Sequence, residues 1–372
     1  MDVVGWWLRK PLKAAVAALA HVRSKPYPDK PARILVVREG GFGDLILTIP
    51  VIRTLRRHVG PDVTIDALVR EQVVGFYREL DQIDRLFAKG SKLGHAFRTI
   101  CQMRKRRYDV VVDLVSSPSL SFALWIIFAA PGAHRLGGDK AELKGMYQQH
   151  IELPPRPSIH FMERLRRIAA QAFGEAPLAD EVPWINWSED VRLACDRIWR
   201  EITNANPGGP VVLVNLSAGL PRRTWPDAKY RDLMPRLLEH FGDRVSKWVI
   251  TAGPNEPGRA TDLVSHCNDP RVVPLPRTSD FRVVAALVSR VALVITPDTS
   301  LVHACSAHGT PVVMLTVAEN VIAWAPWKIR HRVVNAAPGE DVATLSVDRV
   351  FDAVIASGLL PDAVTARRGE RP

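Results

Sequence analysis

Three stretches in the second half of this chain carry residue types that suit a phosphate ester. In "VVLVNLSAGLPRRTWP" an apolar run to Leu216 leads into a loop with Ser217, Arg222 and Arg223, and a helix starts near Trp225-Pro226-Asp227. Small residues there permit close approach of a ligand, and arginines offer forked donors that match phosphate oxygens. "VITAGPNEP" sets Glu256 just past an apolar run, where a carboxylate can accept from ribose hydroxyls. "VALVITPDTSLVHACSAHGTPVVML" places Asp298, Thr299, Ser300 and Leu301 where a strand pattern gives way to a short helix. The first N–H groups of such a helix form a ready anion site. Each piece also has a plain structural reading: Asp298 as an N-cap, Arg222 and Arg223 as solvated charges, Glu256 as a turn residue, His303 as a core histidine bonded to the backbone. Taken together, phosphate donors, a ribose-type acid and a helix N-terminus on successive strand ends of one domain describe a nucleotide-diphosphate site.

The first half offers one acid in an unusual place. "ILVVREGGFGDLILTIP" is a short strand pattern followed by Gly40, Gly41 and Gly43, a turn that ends on Asp44. A dinucleotide fingerprint needs a further glycine where Ile46 stands, and a P-loop needs Gly-Lys-Ser/Thr; neither is present. Asp44 therefore either caps the helix that follows, the commonest job for an aspartate after a glycine turn, or does chemistry. The local sequence leaves both open. Pro50 predicts a kink in that helix, or a restart near Thr48.

These residues need strands to hold them. Short β-branched runs with little polar alternation lie at Ile34–Val37, Val63–Leu68, Val110–Leu114, Val211–Leu216, Trp248–Thr251, Val291–Thr296 and Val312–Leu315. Helical patterns separate them, as in parallel α/β sheets covered on both faces. The proline- and acid-rich stretch from Phe173 to Asp190 breaks the rhythm and reads as a linker. The expected organisation is an N-terminal amphipathic, interfacial segment over 1–30, two Rossmann-like, doubly wound α/β domains over 31–185 and 186–360 facing each other across a cleft, and a polar tail over 361–372. The longest apolar run, "LSFALWIIFAA" at Leu120–Ala130, is too short to span a bilayer and reads as a buried helix.

The formal net charge of +11 asks for an anionic partner. "RKRR" at Arg104–Arg107 is the one dense cluster, but no nucleic-acid motif or interleaved aromatics accompany it, so nucleic acid is not an expected partner. Near the start, Trp6 and Trp7 followed by Arg9, Lys10 and Lys13 suit an anionic membrane surface; a helix packed on its own protein fits equally well. The four cysteines lie far apart with no CxxC pair, which suggests neither a zinc site nor a disulfide framework and points to a reducing compartment. Asp109 and Asp113 bracket a buried strand pattern and are not read as a metal pair.

"ILVVREGGFGDLILTIPVIRTLRR", "SAGLPRRTWP", "AGPNE" and "PDTSLVHACSAHGTPVV", in this order between Ile34 and Leu315, resemble the ADP-heptose:lipopolysaccharide heptosyltransferases. These are inverting glycosyltransferases of the GT-B fold. The resemblance implies transfer of heptose from ADP-heptose to a lipid A-linked lipopolysaccharide core acceptor, with no cofactor or metal ion, in a cytoplasmic enzyme that is peripheral on the inner membrane. It implies that Asp44 is the general base, with Gly41 and Gly43 letting the acceptor hydroxyl approach. Arg223, with Arg222 and the Ser217 loop, would hold the diphosphate, Glu256 the ribose, and Asp298, Thr299, Ser300, Leu301 and His303 the diphosphate and donor sugar. Two departures bear on the donor: Asp-Thr-Ser replaces the usual Asp-Thr-Gly, and the frequent lysine ahead of Trp-Pro is arginine. A GT-B enzyme for another nucleotide sugar or glycan, and a non-catalytic nucleotide-sugar or lipid-binding protein, are the rival readings.

Overall fold

The computed structural model describes residues 26–360 apart from 91, 116–118, 139–140, 156, 175–180, 205–207 and 257. The Trp6-Trp7 segment and the tail over 361–372 lie outside the described residues. By its contacts the chain divides into two units. The first takes the chain to Pro155 and then Phe161–Glu181; the second takes the short segment ending at His160 and everything from Val182 onward.

The first unit is built on a six-stranded sheet in the order β3-β2-β1-β4-β5-β6. Its strands are β1 (Arg33–Arg38), β2 (Thr64–Arg70), β3 (Arg85–Lys89), β4 (Val110–Asp113), β5 (His134–Gly138) and β6 (Gln149–Ile151). All neighbours are parallel, with Ile34 of β1 opposite both Ile65 and Val110. β1 and β4 are buried along almost their whole length, which is why they read as unbroken aliphatic runs. The second unit repeats the plan in the order β12-β11-β10-β7-β8-β9. Its strands are β7 (Val211–Asn215), β8 (Lys247–Thr251), β9 (Val272–Pro274), β10 (Leu293–Pro297), β11 (Val312–Thr316) and β12 (His331–Asn335), again all parallel.

The helix after β1 runs unbroken from Phe42 to Val59 with Pro50 inside it, so it does not restart at Thr48 as the sequence suggests. Most of its residues from Gly43 to Leu55 are buried, and this packing outweighs the one backbone hydrogen bond that a proline removes. Helix Leu120–Ala129 buries Phe122, Ala123, Trp125, Ile126 and Ala129 but leaves Phe128 half exposed, so it is a one-faced rather than a fully buried helix. Asp109 and Asp113 hold the sheet together: Asp109 Oδ2 accepts from the Ala32 and Arg33 N–H groups, and Asp113 accepts from Tyr147 Oη at 2.6 Å and Val115 N at 2.9 Å. In β5, Gly137 is required by close approach, since a Cβ there would meet the Tyr147 ring at 2.8 Å.

The core of the second unit includes Trp225, fully buried, with its Nε1 donating to Leu345 O at 3.0 Å and its ring edge-on to Tyr230. Trp225→Ala is expected to lower stability by about 3–5 kcal/mol through the cavity it leaves. Trp225→Phe keeps most of the volume, and Lys229 Nζ still donates to Leu345 O at 2.8 Å. It should cost only about 1–2 kcal/mol. Urea unfolding of the three proteins measures the order; equal losses in both variants would put the hydrogen bond above the packing.

Candidate active site

Asp44 stands in the first turn of helix Phe42–Val59, whose N-cap is Gly41. Its Oδ2 accepts from the Gly41 N–H at 3.1 Å, so the capping role is real. Its Oδ1 is paired at 2.8 Å with the Arg38 guanidinium, which is fully buried at the end of β1, while the Asp44 side chain keeps 27% of its surface open to solvent. Arg38 also donates to Leu114 O and lies 4.9 Å from the centre of the Phe161 ring. A buried cation needs such compensation, and it fixes the carboxylate in return. The Tyr77 hydroxyl is buried without a hydrogen-bond partner, and burial raises its pKa, with the Asp44 charge adding to the rise and Arg38 opposing it.

The glycines of this turn have distinct jobs. Gly40 is the demanding one: at φ +153°, a Cβ there would lie 2.6 Å from Asp44 Cβ. Gly41 has open space where a side chain would start, and Gly43 is buried in the first turn of the helix.

In the second unit, Asn215 at the end of β7 ties the loop that follows it to β10. Its Nδ2 donates to Thr296 Oγ1 at 2.9 Å and to Ser217 O at 3.0 Å, and its Oδ1 accepts from the Ser217 N–H. Ser217 Oγ donates to Glu256 Oε2, which also accepts from the Gly253 N–H at 3.1 Å. Glu256 Oε1 is held by Arg259 at 2.9 Å, and Arg259 is anchored in turn on Asp227 at 2.6 Å. The structure thus joins Ser217 and Glu256 at the ends of β7 and β8.

A second group forms at the ends of β10 and β11. Asp298 is 4% exposed; its Oδ2 accepts from Asn320 Nδ2 at 2.6 Å and lies 3.2 Å from the Arg223 guanidinium. Burial raises its pKa, against the opposing pull of Arg223, Asn320 and Thr316. Asp298 is not the helix cap. Thr299 is, accepting from the Leu301 N–H at 3.3 Å, and Ser300 then opens helix Ser300–His308. His303, one turn in, is buried with its Nδ1 lacking a hydrogen-bond partner. Burial, then the charges of His160 and Arg223, push its pKa down to about 3, so the ring is neutral. His160 stacks on Trp327 with ring centres 4.6 Å apart and bonds through Nε2 to Ala325 O. Arg222 does not join the group: it is half exposed and faces Glu319 at 3.5 Å and Asp341 at 3.7 Å.

Arg38, Asn215, Arg259 and Asn320 were not visible from the sequence as site residues. Asn215 alone carried a signal, as the one polar residue closing an apolar strand run. Chemically, the second group offers a guanidinium beside a helix N-terminus and a neutral imidazole, and the first a carboxylate held between a backbone N–H and an arginine. Among the described residues, no group of three or more His, Cys, Asp or Glu is placed to hold a metal ion.

Residues 96–350 match the profile of glycosyltransferase family 9 (heptosyltransferase). The chain is 24% identical over 300 residues to lipopolysaccharide heptosyltransferase 3 of Escherichia coli, covering 77% of this chain and 83% of that protein. Its fold is similar to that of a family 9 glycosyltransferase from Veillonella parvula DSM 2008, with a TM-score of 0.72 and 19% identity over 88% of this chain and 97% of the other. It is also similar to an E. coli heptosyltransferase solved with ADP, with a TM-score of 0.67 and 17% identity over 87% and 99% of the two chains. The two six-stranded parallel sheets are thus those of the GT-B heptosyltransferase structures.

Gly40→Ala should lower stability by about 1–3 kcal/mol, from backbone strain and from collision with Asp44, whereas Gly41→Ala should change it by less than about 1 kcal/mol. Melting temperatures test this, and equal effects would remove Gly40 as the support of Asp44. Acid should also act through the histidines. Burial lowers the pKa of His303 to about 3 and of His308 to about 4, so below the ordinary value near 6.5 the unfolded chain binds more protons than the folded one. Their contribution to stability is complete above about pH 6.5 and lost as pH falls toward 4. Asp298, with its raised pKa, works in the opposite sense. Urea midpoints measured between pH 7.5 and 5 should fall, and His308→Gln should flatten the slope.

Proposed function

This chain belongs to glycosyltransferase family 9, the heptosyltransferase family, and from that premise we propose that it transfers heptose from ADP-heptose to a lipid A-linked lipopolysaccharide core acceptor. The observation that carries this reading is the pairing of Ser217 with Glu256, and of Arg223 with Asp298 beside the Thr299 helix end, on neighbouring strand ends of one unit. The names of the relatives support donor and acceptor: one is a lipopolysaccharide heptosyltransferase, and one was solved with ADP.

In the reaction as proposed, an acceptor hydroxyl attacks the anomeric carbon of the donor from the face opposite the diphosphate. Its oxygen forms the new bond to that carbon while the bond from carbon to diphosphate oxygen breaks, and ADP leaves with the electron pair. Asp44 takes the hydroxyl proton, a role its solvent-reaching carboxylate can fill because Arg38 keeps it from rotating away. Arg223 leaves Asp298 for the diphosphate and neutralises the charge that develops there, with the N–H groups at the Thr299 helix end adding to it. This reading needs no metal ion and no cofactor. Glu256 accepts from the ribose, having been oriented by Ser217 and Arg259 before the donor arrives.

The protein works, in this proposal, in the cytoplasm at the inner face of the membrane that carries the acceptor. No helix among the described residues is long and apolar enough to cross a membrane. Ser300, where the family pattern has glycine, keeps one alternative in view, a different nucleotide sugar, because glycine alone brings no side chain to the helix end.

Purified full-length protein, ADP-heptose and a panel of core acceptors decide the donor: release of ADP with a heptose-sized mass gain is expected, and turnover only with another nucleotide sugar would overturn it. Asp44→Asn should lower kcat by roughly 10²–10⁴-fold with ADP affinity retained. It should also lower the melting temperature, because the buried Arg38 loses its counter-charge, so rates must be compared at equal folded fraction. Near-normal turnover would leave Asp44 a capping and pairing residue only. Arg223→Ala should weaken ADP by about 1–3 kcal/mol. Glu256→Ala should weaken ADP but not inorganic diphosphate, and an equal loss for both would refute the ribose role.

A further inference from the structure

Two sequence features stand apart from this chemistry: the "RKRR" cluster and the apolar run "LSFALWIIFAA". The fold brings their helices, Leu93–Lys105 and Leu120–Ala129, together on the first sheet, where Leu124, Ile127, Ala96 and Ile100 pack on one core. The outer face of this pair is unusual. Phe97 is 71% exposed and Phe128 51% exposed, against full or partial burial for most large apolar side chains of the protein.

Charge is as one-sided as the apolar exposure. At helical spacing, Phe97 shares its face with Arg98, Arg104 and Lys105, and Lys92 and Arg107 stand exposed at the two helix ends. Arg106 is the exception, turned in to the buried Asp66 at 3.0 Å. No aspartate or glutamate occurs between Arg85 and Tyr108, or between Leu114 and Gly138. An exposed phenyl ring among cations, on a helix packed against one that exposes a second ring, matches one chemistry best: an apolar interior beneath an anionic surface. Self-association across this face would set these cations against their own copies, which costs energy. The rings carry no polar handle for a hydrophilic partner.

We infer that helices Leu93–Lys105 and Leu120–Ala129 dock the protein on an anionic lipid bilayer, with Phe97 and Phe128 entering at headgroup depth and Arg98, Arg104 and Lys105 lying on the lipid phosphates. The inference stands on this surface alone, and rests on the proposed lipid-linked acceptor only for the purpose docking serves: it delivers the enzyme to the plane where that acceptor is held.

Two full-length variants test it, Phe97→Ser/Phe128→Ser and Arg104→Glu/Lys105→Glu. Both alter exposed positions, so unchanged melting temperatures are the control for folding. Co-sedimentation with phosphatidylcholine vesicles, with and without phosphatidylglycerol, is expected to show wild-type binding only when the anionic lipid is present. Each variant should bind about tenfold more weakly or worse, the scale of losing surface cations or inserted rings. Wild-type affinity in both variants would overturn the inference and assign any binding to other residues, and equal retention on neutral vesicles would overturn its electrostatic half. A change in sedimentation coefficient of the Phe97→Ser/Phe128→Ser protein without any loss of vesicle binding would make the face a protein interface instead. With a vesicle-embedded acceptor both variants should turn over more slowly, and with a delipidated core they should match wild type. Absence of turnover in every protein would count against the transferase reading while leaving the vesicle result standing.

Discussion

Both sheets are held to one rule: every strand runs parallel to its neighbours. Parallel strands cannot be joined by a tight turn, so each connection must climb back over a sheet face, usually as a helix. The helices cover the sheet and make the central strands apolar on both sides. The same rule gathers all the strand carboxyl ends of a unit on one edge, where chain is free to vary. Arg38 and Glu39 leave β1 there, and Arg70 leaves β2 to pair with Glu39 at 2.6 Å. Asn215, Thr251, Pro297 and Thr316 end their strands on the corresponding edge of the second sheet.

At that edge the acids are not left loose. Asp44, Glu256 and Asp298 each lie against an arginine: Arg38, Arg259 and Arg223 respectively. The three pairs differ in what burial does to them. Arg38 is fully enclosed, so its partner is locked by the cost of an uncompensated guanidinium. In the Arg223 pair the acid is the enclosed member and the arginine reaches solvent. A ligand anion can therefore compete for Arg223, while Asn320 and Thr316 continue to donate to Asp298. The same pairing of charges thus makes one site rigid and leaves the other exchangeable.

What the sequence made legible follows from the same geometry. β1, β2, β4, β7, β8, β10 and β11 were readable because interior strands are buried on both faces and leave an aliphatic signature. The missed strands are the four sheet edges, β3, β6, β9 and β12, with β5 beside one of them. Edge strands bury less, so "RLFAK", "QHI" and "HRVVN" carry charge and polarity. β5 is hidden for another reason: its buried Arg135 and paired glycines disguise a strand as a loop. In the candidate site, Ser217, Arg223, Glu256 and Asp298, which the fold brings into two groups, were picked out by type and order, as was Arg222, which stands apart from them. The residues that hold them were not. Arg38 looks like any arginine after a strand, and nothing in "TVAEN" says that Asn320 will reach Asp298, because such supports are defined by three-dimensional neighbours and leave no spacing to read.

The short segment ending at His160 belongs to the second unit, although the chain on either side of it belongs to the first. The polypeptide therefore passes between the units three times, not once. A gene fragment that starts at Val182 would encode the second unit without the imidazole that stacks on Trp327 and bonds to Ala325 O. In evolutionary terms this interleaving works against modular exchange: one recombination point at the linker cannot hand a complete second unit to another chain.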